Sequence, residues 1–310
     1  MRVLVSGASG LIGGALCSHF QAIGAETAVL VRRRPEPGDA GRIFWDPEGG
    51  ILDPAALNGF DAVIHLAGEN IGSGRWTPEK KKRIYDSRVR GTALLSNALA
   101  ACAEPPKAFV CASAVGYYGD RGEELLNETS GPGQGFLAET CLAWEAAAGP
   151  ARDAGLRTVH LRTGMVLSAS GGALDRMLPP FRLGLGGPLG NGKAWMSWIA
   201  LDDLVRLAAF CVENTSLSGP VNAVAPCPVT NREFTRALGR ALHRPVVMPV
   251  PAFVLRILFG ELARELLLTS TRAVPDGLTR AGFTWRYPEI DAALHFYLGA
   301  PSPATGINER

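Results

Sequence analysis

Residues 3 to 16 read VLVSGASGLIGGAL, an apolar run broken by Gly7, Gly10 and Gly13 and resumed as a helical pattern. Few folds accept such a segment. It fits a strand that turns tightly into a helix. One glycine makes the turn, one lets a ligand approach the backbone, and one lets the helix pack closely on the strand. The start of that helix offers unpaired N–H groups and the positive end of a dipole, which together suit a phosphate. The segment therefore reads as a cradle for the pyrophosphate of a dinucleotide.

The downstream pattern agrees. Strand-like runs at 2–6, 27–31, 61–67, 108–113 and 156–162 alternate with amphipathic segments at 11–23, 79–101 and 137–154. Such alternation predicts βαβ units, a parallel sheet buried on both faces and right-handed crossovers. Past residue 165 the texture changes to a stretch rich in glycine and proline. A helix from Asp202, a strand at 220–224 and a helix over 230–242, capped by Thr230 or Asn231, come next. The expected fold is α/β: a Rossmann-like, doubly wound parallel sheet with a smaller C-terminal substrate lobe. The dinucleotide domain covers 1–165 with 196–225 returning to it. The lobe takes 166–195 and 226–297, and 298–310 reads as a flexible tail.

The second strand ends in VLVRRRPEPG. Cofactors without a 2′-phosphate usually meet an acidic residue here, bonded to the ribose. Arg32, Arg33 and Arg34 stand in its place. A carboxylate would repel a 2′-phosphate, whereas a guanidinium grips one through two bonds. The expectation is NADP, with Arg32 as the direct contact and Arg33 beside it.

These blocks, with HLAGENI, SAVGYYGDRG, CLAWEAAA, LRTGMVLS, LGLGGPLGNG, GPVNAVAP, STRAVPDGL and AGFTWRYPEI, resemble the extended short-chain dehydrogenase/reductase superfamily. More narrowly they are similar to its atypical epimerase-family branch, related to NAD-dependent epimerases and dehydratases and carrying a distinct small C-terminal domain. The resemblance covers nearly the whole chain. It implies that the backbone of Ser9, Gly10, Leu11 and Ile12 meets the pyrophosphate. Leu66, Ala67 and Gly68 would lie along the adenosine and ribose. Arg88 stands where many relatives carry an asparagine near the cofactor, and backbone groups near Met165 and Val166 would face the nicotinamide carboxamide.

One departure is large. Family members place a tyrosine and, four residues on, a lysine on one helix face, where the lysine charge lowers the phenol pKa. Aligning Glu145 with the glutamate common in that helix puts Leu137 and Cys141 at the two positions. A slip of one residue puts Phe136 and Thr140 there. Neither register supplies a phenol or an ammonium. Three hydroxyls remain as replacements: Ser113 after the fourth strand of the pattern, although ungapped counting from Gly119 puts Ala114 at the family's serine position, and Tyr117 and Tyr118 in SAVGYYGD. Cys141 has no cation beside it in sequence and reads as an inert thiol.

The remaining side chains narrow the function. Net charge is +2, from 31 basic and 29 acidic residues, which argues against a nucleic-acid face or a polybasic membrane patch. The six cysteines form no C-x-x-C pair, and the five histidines show no ligand spacing, so no metal is expected. His65 and His160 fall inside strand patterns and read as core groups. Reduced cysteines and a strand-like start point to a cytoplasmic protein. Arg182, Lys193, Trp195 and Trp198, in the glycine-rich loop 170–199, are candidates for the substrate side. The expected function is an NADP-dependent oxidoreductase or epimerase-like enzyme acting on a small molecule, a sugar nucleotide or a carbonyl compound. The alternative is a non-catalytic NADP(H)-binding sensor or partner-binding protein.

Overall fold

A computed structural model describes residues 1–36 and 38–299. The tail expected over 298–310 lies, from residue 300 on, outside the described residues. Seven parallel strands form the main sheet: β1 (Arg2–Ser6), β2 (Glu26–Val31), β3 (Arg42–Phe44), β4 (Ala62–His65), β5 (Ala108–Ala114), β6 (Arg157–Thr163) and β7 (Gly219–Ala223). Their order is β7-β6-β5-β4-β1-β2-β3, the doubly wound arrangement the alternating pattern implied. The short edge strand β3 was not foreseen, because three residues carry no usable period.

Strand alternation divides the core in two. Val3, Val5, Ile64 and Val110 face helices α1 (Leu11–Ala22) and α6 (Leu201–Glu213). Leu4, Val63 and Phe109 face α2 (Pro78–Ala100) and α3 (Phe136–Ala146). Both faces are dry, which accounts for the unbroken apolar runs of the central strands. Helix α2 starts where Thr77 accepts a hydrogen bond from Lys80 N at 3.2 Å, with Pro78 in the first turn. The segment read as one helix over 137–154 is two. Pro150 lacks the N–H that would continue α3, so α4 (Gly149–Asp153) begins there instead.

Beyond β6 the chain builds the second lobe from α5 (Gly172–Arg182), α7 (Asn231–Leu242), α8 (Ala252–Phe259) and α10 (Ile290–Leu298), while α9 (Asp276–Arg280) packs its Leu278 into the core of the main sheet. Leu174, Phe181, Trp198, Phe234 and Leu294 form its core. Helix α7 carries a complete capping box, Thr230 with Glu233, and ends at His243 in the left-handed region (φ +53°). Trp198 is fully buried and donates to Cys227 O at 3.0 Å, so it belongs to this core and not to a substrate surface.

Candidate active site

The turn from β1 into α1 needs its glycines for distinct reasons. Gly7 has φ +72°, and a Cβ there would lie 2.9 Å from Leu66 C and Ala67 N at the end of β4. At Gly13 a Cβ would lie 2.2 Å from the Gly7 carbonyl oxygen, so only glycine lets α1 sit this close to the turn. Gly10 caps α1 without a side-chain hydrogen bond, and the first turn holds no acidic residue. Ser9 and Gly10 are exposed, while Leu11 and Ile12 are half-buried. The starting N–H groups of α1 are thus left for an anion, which fits the phosphate cradle.

The three arginines after β2 have different fates. Arg33 pairs with Glu36 at 3.2 Å, and Arg34 lies 4.7 Å over the Phe44 ring. Arg32 is exposed and makes no hydrogen bond or ion pair among the described residues.

At the end of β4, Leu66 and Ala67 are held by one hydroxyl. Ser6 Oγ accepts from Leu66 N at 3.1 Å and from Ala67 N at 3.2 Å. Both lone pairs are then used, so the Ser6 proton goes to His65 Nδ1, 2.6 Å away. His65 is therefore protonated on Nε2 and donates to Thr92 Oγ1 at 3.1 Å, which also accepts from Trp144 Nε1 at 2.8 Å. Burial holds the His65 pKa down at about 4, so the ring is neutral. His160 is different, because its Nδ1 is buried with no partner among the described residues. Gly68 packs on Arg88, whose Cζ would lie 3.4 Å from a Cβ at that glycine. Arg88 is half-buried, donates to Glu69 O (3.0 Å) and Ile84 O (3.2 Å), and stacks 5.0 Å from the Trp144 ring. It is fixed inside the site and is not a solvated charge on α2.

The two registers open for α3 now separate. Leu137 Cβ and Cys141 Sγ would lie 3.4 Å and 3.9 Å from a Cβ on Gly116, just beyond β5. Phe136 instead packs on Trp76, and Thr140 Oγ1 turns back to Phe136 O at 2.7 Å. Leu137 and Cys141 are thus the pair of this helix that packs against the end of β5. Burial pushes the Cys141 thiol up to about 12, and no thiolate forms there.

The three hydroxyl candidates meet an obstacle the sequence did not show. Tyr118 is fully buried. Its hydroxyl lies 2.7 Å from Asn222 Oδ1 and 3.0 Å from Asn127 O, and accepts from Arg162 Nη1 at 3.1 Å. Burial raises its pKa, with Arg162 working the other way. Ser113 is also buried, and donates to Glu145 Oε1 at 2.7 Å. Arg162 closes a bidentate pair on Glu145 at 2.8 and 2.9 Å and lies 3.5 Å over the Tyr117 ring. Burial works against the Arg162 charge, but the hydrogen bonds and charge of Glu145 outweigh it and hold its pKa above the usual range. The hydroxyls of Ser113 and Tyr118 both have partners inside the wall. Tyr117 is the platform beneath Arg162.

Val166 sits in the short strand Met165–Leu167, paired with Trp198–Ala200, and Met165 N is already bonded to Ser197 O at 2.8 Å. Trp195 lies under the Arg272 guanidinium, 4.0 Å away.

One group had no signal in the sequence. Glu265, about 130 residues from α3 in the chain, bonds Leu137 N at 3.4 Å. Its oxygens would lie 2.7 and 2.9 Å from a Cβ on Gly135, the residue that opens α3. Glu265, Leu137 and Gly116 line a cavity of about 200 Å³ together with Asp120, Gln134 and Thr269. Only the folding of the lobe onto α3 brings this carboxylate to the start of that helix.

Comparisons with known proteins agree with this architecture. A model of the NAD dependent epimerase/dehydratase family matches residues 3–223, and a domain of unknown function, DUF1731, matches 250–296. The chain is 44% identical to the epimerase family protein Mb2239 of Mycobacterium bovis, over 96% of this chain and 98% of that one. The crystal structure of human epimerase family protein SDR39U1 (isoform 2) with NADPH superimposes with a TM-score of 0.87 at 37% identity, covering 96% of this chain and 99% of the human one. A nucleoside-diphosphate sugar epimerase from Corynebacterium glutamicum gives 0.77 at 38% identity, covering 96% of this chain and 58% of that one. With a sheet of this order, a glycine cradle at its centre and a family match over most of its length, the chain belongs to the NAD dependent epimerase/dehydratase family, in the group of epimerase family proteins that carry the small C-terminal domain.

Proposed function

We propose that the protein is an NADP(H)-dependent oxidoreductase or epimerase-like enzyme. Its substrate is a small carbonyl compound or sugar nucleotide held between the sheet and the C-terminal lobe. The observation that carries the cofactor half is Arg32, an exposed guanidinium at the end of β2 with no side-chain partner among the described residues. The NADPH in the human relative's crystal structure supports the same reading. When bound, the dinucleotide supplies hydride chemistry at its nicotinamide.

The chain's own residues do the rest. Gly7, Gly10 and Gly13 clear the backbone for the pyrophosphate, and the amides of Ser9 to Ile12 meet it. Ser6 keeps the Leu66 and Ala67 peptides in place beside it. The pair Arg162–Glu145, with Ser113 and Tyr118 bonded to it, stiffens the wall that carries Gly116. Glu265 holds or releases the proton at the cavity beside Leu137, where the family's tyrosine would otherwise act.

The test is NADPH consumption, followed by absorbance over a panel of carbonyl compounds and sugar nucleotides. Glu265→Gln is expected to lower turnover at least about a hundredfold, the lower end of general acid–base catalysis, while NADPH binding stays within about twofold of wild type. Full turnover in that variant removes Glu265 from the mechanism. A second reading, a non-catalytic NADP(H) sensor, is favoured by Ala114, Leu137 and Cys141 at the positions of the family's polar catalytic groups. Tight NADPH binding with no consumption across the panel selects it.

A further inference from the structure

Among the described residues, nine of the sixteen exposed large apolar side chains fall in just two stretches, 183–185 and 247–266. The stretches are joined. Gly190 N donates to Val250 O and Val250 N to Pro188 O, both at 2.9 Å, and a Cβ on Gly187 would collide with the Met248 carbonyl. The chain then runs directly into α8, whose sequence AFVLRILF buries only Leu255. A two-turn helix this apolar gains little from propensity alone and normally hides one face. A contiguous patch of this kind on a single chain marks a docking surface.

Its charge identifies the occupant. Residues 176–193 and 232–266 hold nine lysines and arginines against three acids, Glu233, Glu261 and Glu265. All three acids are engaged, Glu233 in the α7 capping box, Glu261 with Lys81 at 2.8 Å and Glu265 on Leu137 N at 3.4 Å, and among the cations Arg240 pairs with Asp291 at 2.6 Å. Arg182, Arg244 and Arg256 are exposed among the apolar side chains. The whole-chain charge of +2 conceals this asymmetry. A second copy related by a two-fold axis would set these arginines against their own images. A groove for a partner helix would half-bury its lining, yet Leu183 and Val247 are 74% exposed, Ile257 68% and Phe253 63%. Protruding apolar side chains ringed by cations suit a soft, anionic medium.

We propose that this face, formed by α8 with residues 183–185 and 247–248, docks peripherally on an anionic lipid bilayer. No helix among the described residues is long and apolar enough to cross a membrane, so the contact is interfacial. The dock would stand next to the loop after β4, because Arg75 donates to Ile257 O at 3.3 Å.

The test is flotation of the full chain with vesicles of phosphatidylcholine alone or with about one third phosphatidylserine. The chain is expected to float with the anionic vesicles only, and to be released by high salt. Phe253→Ser with Ile257→Ser, and separately Arg244→Glu with Arg256→Glu, are expected to cut the vesicle-bound fraction at least about tenfold. Their melting temperatures should stay at the wild-type value. The salt response of the wild type keeps the test decisive should either variant fold poorly. Three results would overturn the proposal: no flotation with anionic vesicles, equal flotation with both vesicle types at all salt concentrations, or a wild-type dimer that the Phe253/Ile257 variant splits.

Discussion

His65 is the residue on which the floor of the cofactor site turns. It joins Ser6, which holds the Leu66 and Ala67 peptides just beyond β4, to Thr92 on α2, and it does so as a neutral ring. Its folded pKa of about 4 lies below the usual 6.5 because burial penalises the charge. The unfolded chain therefore takes up a proton through pH 6.5 that the folded chain refuses until about pH 4. The stability this neutral histidine permits is complete above pH 6.5 and is lost as pH falls toward 4. The loss amounts to about 3 kcal/mol at most. Urea unfolding of wild type and His65→Gln should show the gap between them shrinking by about that amount from roughly pH 7 to pH 4. A gap independent of pH would mean that His65 is not buried and neutral. The burial of His65 was readable from its strand pattern, since each neighbour is apolar. Its partners were not, because Ser6 and Thr92 are ordinary residues until the strand and helix are placed side by side. The same gap between residue type and placement explains Tyr118. A tyrosine pair near the expected nicotinamide position suggested chemistry, and only the fold showed the hydroxyl enclosed by Asn222, Asn127 and Arg162.

The β1–α1 unit was legible at the level of elements because sterics dictate its sequence. Gly13 is the sharpest case. A Cβ there meets backbone atoms at 2.2 and 2.8 Å, and backbone cannot rotate aside as a side chain can. Gly13→Ala is expected to push α1 off the sheet, with a destabilisation of about 3 kcal/mol or more and loss of NADPH binding. Gly10→Ala meets only the Gly7 carbonyl, at 3.3 Å, and should fold with a modest loss. Thermal melting of the two variants checks the order, and equal behaviour would contradict the packing described for α1. Helix α3 was less legible. Its pattern ran on into α4, and only the fold shows Leu137 and Cys141 packed on Gly116. Arg162 carried a signal that was left unused. An arginine inside the apolar run TVHLRTG needs a carboxylate when buried, and Glu145 on α3 was the available one.

Over the whole molecule, the Rossmann sheet and its order followed from alternation, whereas the meeting of the lobes did not. The loop after β4 is fastened to the lobe by Arg176 on Gly72 O and by Arg75 on Ile257 O, and the start of α2 by Lys81 on Glu261. Glu265 reaches α3 through the same closure. These contacts join residues 100 to 180 positions apart, a separation at which pattern has no information. Under the function proposed above, a phosphorylated dinucleotide sits on the β1–α1 turn and a substrate beside Glu265. The most direct measurement is calorimetric titration of the purified chain with NADPH and with NADH, repeated on Arg32→Ala. NADPH should bind more tightly than NADH, and the variant should lose at least about tenfold in NADPH affinity with little change for NADH. No heat with either dinucleotide, or tighter binding of NADH by the wild type, would contradict the assignment.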